Sequence, residues 1–208
     1  MEREYMRPED IEKKSMLIVE DEMGPFECSY EMRQVIKRVA HATADVEFGK
    51  SIIFHPESLE SGLFALREGR DIITDVAMVE VGIRKDGLKK FGNRVYCFLN
   101  DEMVIEMAKK DGIPRSALAM RLNRSLIDGS IIVIGNAPTA LFEVVDLIVH
   151  CGVRPALVIG VPIGFVGAAE SKELLRTVSV PYITNEGRRG GSAVAVSIMN
   201  ALIKLAVK

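Results

Sequence analysis

The sequence predicts an α/β fold in three layers, a mostly parallel sheet with helices on both faces. Two observations predict it. Short runs rich in β-branched residues alternate with stretches of helical periodicity along the chain. The runs after residue 130, IIVIG and ALVIG, are apolar throughout, as central parallel strands covered on both faces must be. No internal repeat, low-complexity tract or Pro/Ser-rich linker divides the 208 residues, so one domain over 1–208 is expected.

The first stretch, MEREYMRPEDIEKK, is dense in charge, and residues 1–14 are expected to form a partly extended arm. It lacks the apolar core of a signal peptide, which points to the cytoplasm. Met32, Val35, Ile36, Val39 and Ala40 then recur at the i, i+3, i+4, i+7 spacing of an amphipathic helix. Strands are expected at 51–54, 72–74, 95–99, 131–134, 156–161 and 182–184. Residues 87–92, with Lys89 and Lys90 between glycines, read as an exposed loop. The run from Ala193 to Val207 is interrupted by Asn200 and Lys204 and falls short of the ~20 residues that span a membrane, so a buried helix is expected.

Composition removes several function classes. With 27 basic and 29 acidic side chains the net charge is -2, so no general positive field exists to hold nucleic acid. Cys28, Cys97 and Cys151 lie far apart among apolar neighbours and read as small core residues, with neither a disulfide framework nor a zinc set. His41, His55 and His150 show no metal-ligand spacing, and no protein-bound metal is expected. There is no GxxxxGK[ST], no GxGxxG with its distant acid and no GxSxG, so nucleotide cofactors and serine-hydrolase chemistry are not favoured.

What remains is three strand-to-helix turns. They are GNAPTALFE with Gly135 and Asn136, GVPIGFVGAAESKELL with Gly164 and Gly167, and TNEGRRGGSA with Arg188 and Arg189. Helix N-termini carry unpaired N–H groups and partial positive charge, and glycine lets a ligand approach the backbone. Ordinary capping by Pro138, Thr139, Ser171 or Ser192 accounts for any one turn alone. Three on one sheet edge could grip several separate carboxylates, and the paired guanidinium groups of the third strengthen that reading.

On the first amphipathic helix Gln34, Arg38 and His41 share the face opposite the apolar stripe. The small residues of HATADVEF leave room around the imidazole, and Asp45 and Glu47 follow. His41 is therefore the candidate for proton transfer. His55 in FHPES reads as a turn residue starting the next helix, and His150 in LIVHCG as a helix C-terminal residue.

RVAHATAD around His41, GNAPTALFEV, VPIGFVGAAESKELL and GRRGGSA, in this order, resemble the precorrin-8X methylmutase family, which includes the cobalt-precorrin-8 methylmutases. The resemblance implies a flavodoxin-like domain, a homodimer, and an isomerase of cobalamin biosynthesis that moves a methyl group from C-11 to C-12 of the corrinoid, giving hydrogenobyrinate or cobyrinate. It implies no redox cofactor and no external methyl donor. By the same resemblance His41 is the proton donor and acceptor, and Ser15, Arg38 and Arg115 bind substrate. A tetrapyrrole carrying acetate and propionate arms calls for anion cradles, which the turns and arginines offer, and for apolar surface, for which Met16, Met78 and Phe165 are candidates. The competing readings are a corrinoid carrier without turnover and a flavodoxin-like nucleotide or flavin protein.

Overall fold

The computed structural model describes residues 7–207. Helix α1 (Pro8–Met23) begins on proline at its first position, with Glu9 and Asp10 in the first turn complementing the helix dipole. The segment 1–14, expected to be a partly extended arm, is thus helical from Pro8 onward, and residues 1–6 lie outside the described residues. Ser29 caps α2 (Tyr30–Thr43), its hydroxyl accepting the Met32 N–H at 3.1 Å. Asp45 does the same for the short α3 (Val46–Lys50), accepting from the Phe48 N–H at 2.7 Å.

Six strands follow the expected positions, trimmed at their ends: β1 (Ile53–Phe54), β2 (Ile72–Thr74), β3 (Val95–Tyr96), β4 (Ile131–Ile134), β5 (Leu157–Gly160) and β6 (Tyr182–Thr184). They form one sheet in the order β1-β6-β5-β4-β2-β3. All neighbours are parallel except β1, which runs antiparallel to β6 at one edge. The helices between them are α4 (Ser58–Arg67), α5 (Ala77–Gly82), α6 (Lys85–Lys89), α7 (Glu102–Asp111), α8 (Arg115–Leu122), α9 (Arg124–Ile127), α10 (Pro138–Cys151), α11 (Ala168–Leu175) and α12 (Ser192–Val207).

Side chains alternate across a strand, and the core divides accordingly. Ile131, Val133, Leu157 and Ile159 point to one face, where α2, α4 and α12 cover them. Ile132, Ile134 and Val158 point to the other, under α8, α10 and α11. Helix α12 is the buried helix its composition predicts, with Ala195, Ile198, Met199 and Leu202 all inaccessible to water.

Two further expectations are corrected. Residues 85–89 form α6, because Leu88 is buried in the first core and Gly87 packs so tightly on α12 that a Cβ would lie 2.4 Å from Ile203 Cγ2. The cysteines are not core residues: Cys28 and Cys97 are half-buried and Cys151, the last residue of α10, is exposed.

Because β2, β4, β5 and β6 are mutually parallel, their C-terminal ends share one edge of the sheet, and the three glycine-bearing turns leave from it.

Candidate functional site

A groove of about 830 Å³ runs along α12 between α2 and the α5–α6 connection. His41 and Arg38 stand on its α2 wall, Arg84 on the opposite side, and Val196, Asn200, Ile203 and Lys204 form its α12 floor. His41 is exposed on the last turn of α2, and the residue before it, Ala40, is buried. Ala40 is small because α3 crosses there: a Cβ on Gly49 would lie 3.0 Å from Ala40 Cβ. The chain then turns through Ala44 in the left-handed conformation, φ 51°, which brings Asp45 back toward the sheet edge.

The groove is built by close approaches to α12. A Cβ on Gly82 would lie 2.7 Å from Val196 Cγ2, so only glycine lets α5 come this near. Asn200 then fixes the α5–α6 connection from below, accepting the Arg84 N–H at 2.8 Å and donating to the Gly82 carbonyl at 3.0 Å. Arg38 also reaches a smaller hollow of about 390 Å³ under α1, where it donates to Glu12 Oε1 at 2.7 Å. That guanidinium holds the Glu12 carboxyl below the usual carboxylate range. The groove thus offers cations at its rim and apolar side chains along its floor.

The turns differ from one another. In the first, the backbone N–H groups of Gly135, Asn136 and Ala137 all donate to the buried carboxylate of Asp75, at 3.2, 2.7 and 2.7 Å. Those donors are already used within the chain, and what this turn can offer a ligand is the exposed side chain of Asn136. Burial pushes the Asp75 carboxyl up while the three donors pull it down.

The second and third turns are tied together. Gly164 N–H donates to the Arg188 carbonyl at 3.1 Å, and Gly191 N–H to the Val161 carbonyl at 2.9 Å. Gly167 is the left-handed cap of α11, φ 77°. Between Gly164 and Gly167 the apolar pair Phe165 and Val166 stands 85% and 88% exposed, a surface suited to a flat apolar ring. Arg188 lies over the Phe165 ring at 5.6 Å. Arg189 is engaged elsewhere: its guanidinium donates to Asp45 Oδ2 at 2.5 Å and covers the Phe48 ring at 4.4 Å. The ion pair helps hold the Asp45 carboxyl down, after the Phe48 N–H, and links the third turn to the end of the histidine helix.

Structure therefore brings His41 and Arg38 to one groove along α12, and links Arg189 to Asp45 just after the histidine helix. Ser15 and Arg115 lie apart from the groove within this chain. Ser15 is half-buried on α1 beside the smaller hollow. Arg115 is exposed at the start of α8, on the other helical layer, where the Ser116 and Thr139 hydroxyls, 2.7 Å apart, join α8 to the entrance of α10. Met78 is 69% exposed on α5, and Met16 lines the smaller hollow. His55 is the turn residue expected, its Nδ1 accepting the Glu57 N–H at 3.3 Å, whereas His150, expected to interact with the last carbonyls of its helix, sits on the last turn of α10 against the Asp146 carboxylate at 3.5 Å.

Sequence reasoning missed Asp75, Arg84, Asn200 and Lys172. Of these Lys172 carried a readable signal, since Ala168 and Leu175 at i−4 and i+3 place it on the buried stripe of α11. Among the described residues no three His, Cys, Asp or Glu side chains stand together as a metal site, and no helix is long and apolar enough to cross a membrane.

Comparison with known proteins covers nearly the whole of this arrangement. The family model described as precorrin-8X methylmutase matches residues 10–205. A cobalt-precorrin-8 methylmutase of Priestia megaterium is 43% identical over 97% of this chain and 89% of its own length. One from Methanocaldococcus jannaschii is 49% identical over 83% of this chain and 79% of its own. The crystal structure of a precorrin-8X methylmutase from Thermus thermophilus superposes with a TM-score of 0.87 at 39% identity, covering 94% of this chain and 96% of that one.

Proposed function

We propose, from the premise that this chain belongs to the precorrin-8X methylmutase family, that His41 carries the proton in a methyl shift performed in the groove along α12. The chain is an intramolecular methyl-shifting isomerase of cobalamin biosynthesis. In the reaction the bond from the methyl group to C-11 of the corrinoid breaks and a bond to C-12 forms, with no change in composition. The protein's task is to hold the tautomer from which the methyl can migrate. A positioned imidazole that gives a proton to a ring nitrogen and takes it back contributes about 10²–10⁴-fold, and preorganised binding supplies the rest.

One observation carries this reading: His41 stands on the wall of a groove that combines the apolar side chains Val196, Ile203 and Val207 with three cations, Arg38, Arg84 and Lys204, against one acid, Asp86. A tetrapyrrole with carboxylate arms needs both. We assign Arg188, the Asn136 side chain and the Gly164–Gly167 turn, which are not among the residues lining the groove, to arms that extend past it. Ser15 and Arg115 are not among the residues lining this groove in one chain, and we assign them to substrate contacts completed across a homodimer. The exposed apolar residues Ile163, Phe165, Val166 and Val81 support such an assembly. Residues 1–208 acting as one methylmutase domain in the cytoplasm belong to the same proposal.

The test mixes purified protein with the C-11-methylated substrate, with and without cobalt, and follows the ring's absorption. Wild type should convert it; His41→Ala should lose turnover by about 10²–10⁴-fold while still binding product. Product binding without conversion by wild type would instead identify a corrinoid carrier. Retained turnover in a folded His41→Ala variant would move the proton to another residue.

A further inference from the structure

Lys172 heads the fully buried side chains by volume, at 1% exposure, and the methyl shift as described gives it no task. We infer that Lys172 is a positioning residue, which holds the Arg189 carbonyl inward from beneath the third turn so that the Gly190 N–H faces outward to a carboxylate arm of the substrate. This rests on the reading of that turn as an anion cradle.

The ammonium group donates to the Arg189 carbonyl at 2.7 Å and to Asn185 Oδ1 at 3.3 Å. No carboxylate of the described residues lies within ion-pair distance of it. A buried cation without a counter-ion is costly, and an apolar side chain of the same length would fill the space without that penalty. The cost shows in its ionisation, since burial pushes the group down to about 8. Its presence therefore asks for a use.

The use lies in the backbone above it. The Arg189 carbonyl also accepts from Asn185 Nδ2 at 2.8 Å, so both of its lone-pair directions are taken and the peptide is fixed. That peptide is trans, which makes the carbonyl and the following N–H point in opposite directions. With the carbonyl turned in to Lys172, the Gly190 N–H is turned away from it. Among the described residues no acceptor receives this N–H, whereas that of Gly191 is used by Val161. Gly190 has φ 155°, and a Cβ there would lie 2.2 Å from the Val161 carbonyl oxygen, so only glycine lets the turn pass this close to the end of β5 with its peptide in this orientation. The result is an N–H on a partly exposed glycine, taken up by no acceptor among the described residues, two residues after Arg188 and on the opposite side of its peptide from a buried positive charge.

The experiment titrates ¹⁵N-labelled wild type, Lys172→Met and Arg188→Gln with the corrinoid product and measures steady-state kinetics on each. Wild type should show a product-dependent shift of the Gly190 amide. In Lys172→Met that shift should vanish and KM rise about tenfold, with kcat within twofold, a split that a merely structural residue would not produce. If Lys172→Met fails to fold, Lys172→Gln, whose side chain ends one bond short of the Arg189 carbonyl, should show the raised KM and lose the amide shift, and a normal KM with the shift intact would overturn the role of Lys172. A normal KM and intact amide shift in a folded Lys172→Met, with KM raised in Arg188→Gln, overturns the role of Lys172 and leaves the cradle standing. Normal KM in both variants overturns the cradle and the inference together.

Discussion

At the scale of single residues, the pair of arginines that looks uniform in GRRGG divides into two roles. Arg189 is held by Asp45 and Phe48, while among the described residues the Arg188 side chain meets the Phe165 ring alone. Arg188→Gln should therefore raise KM three- to tenfold, leave kcat nearly unchanged, and do so less in high salt, because a contact made equally in ground and transition states affects KM alone and a charge contact is screened. A fall in kcat with KM unchanged would put Arg188 in the chemistry. Lys172 carries a second prediction at this scale, of stability against pH. Its folded-state pKa of about 8 lies below the ordinary 10.5, so the unfolded chain binds more protons between those values and stability rises with pH across that window. Below pH 8 the fold bears the whole cost of the buried charge, on the order of 3 kcal/mol. Lys172→Met should thus resist urea at pH 7 at least as well as wild type, with the advantage shrinking as pH rises toward 10.5. A variant clearly weaker at pH 7 would mean that the lost hydrogen bonds outweigh the desolvation.

At the scale of elements, the site depends on how strand ends are joined to helix starts. Asp75 at the end of β2 gathers three N–H groups of the turn between β4 and α10, and so ties two adjacent strands and a helix through one carboxylate. Asp75→Ala would leave those donors buried without an acceptor, each costing about 1–3 kcal/mol, partly offset by removal of a buried acid. A net loss of about 2–4 kcal/mol in urea unfolding is expected, and a change below 1 kcal/mol would show that water takes the carboxylate's place. Helix α12 plays the matching part on the other face, where glycines 82 and 87 let α5 and α6 close on it to form the groove.

At the scale of the whole molecule, one chain presents the groove and the turn edge but sets Ser15 and Arg115 outside them. A corrinoid ring with its arms is too large for one ~200-residue domain to enclose while keeping its own core, and a symmetric dimer is the simplest remedy. Sedimentation should show a dimer at micromolar concentration that carries the activity. A stable, fully active monomer would return the two residues to solvent and end the assignment.

The sequence by itself determined the elements, the sheet's mostly parallel character and the histidine helix, because periodicity and β-branched runs are local properties of the chain. It also ordered the blocks around His41, Gly135, Gly164 and Arg188 that carry the resemblance to the family. It gave a partly extended arm over 1–14 and a loop over 87–92, whereas the chain is helical from Pro8 and through residue 89, where a proline at N1 and a glycine packed against Ile203 decide the outcome. What only the tertiary structure decided is which polar groups are already spent. Gly135 and its neighbours looked like a free anion cradle until Asp75, some 60 residues earlier in the chain, was found occupying it. Likewise Arg189 was found paired with Asp45, and Lys172 with the Arg189 carbonyl. Hydrogen-bonding partners distant in sequence are chosen by strand order and helix packing, and neither is written in the local pattern that a sequence displays.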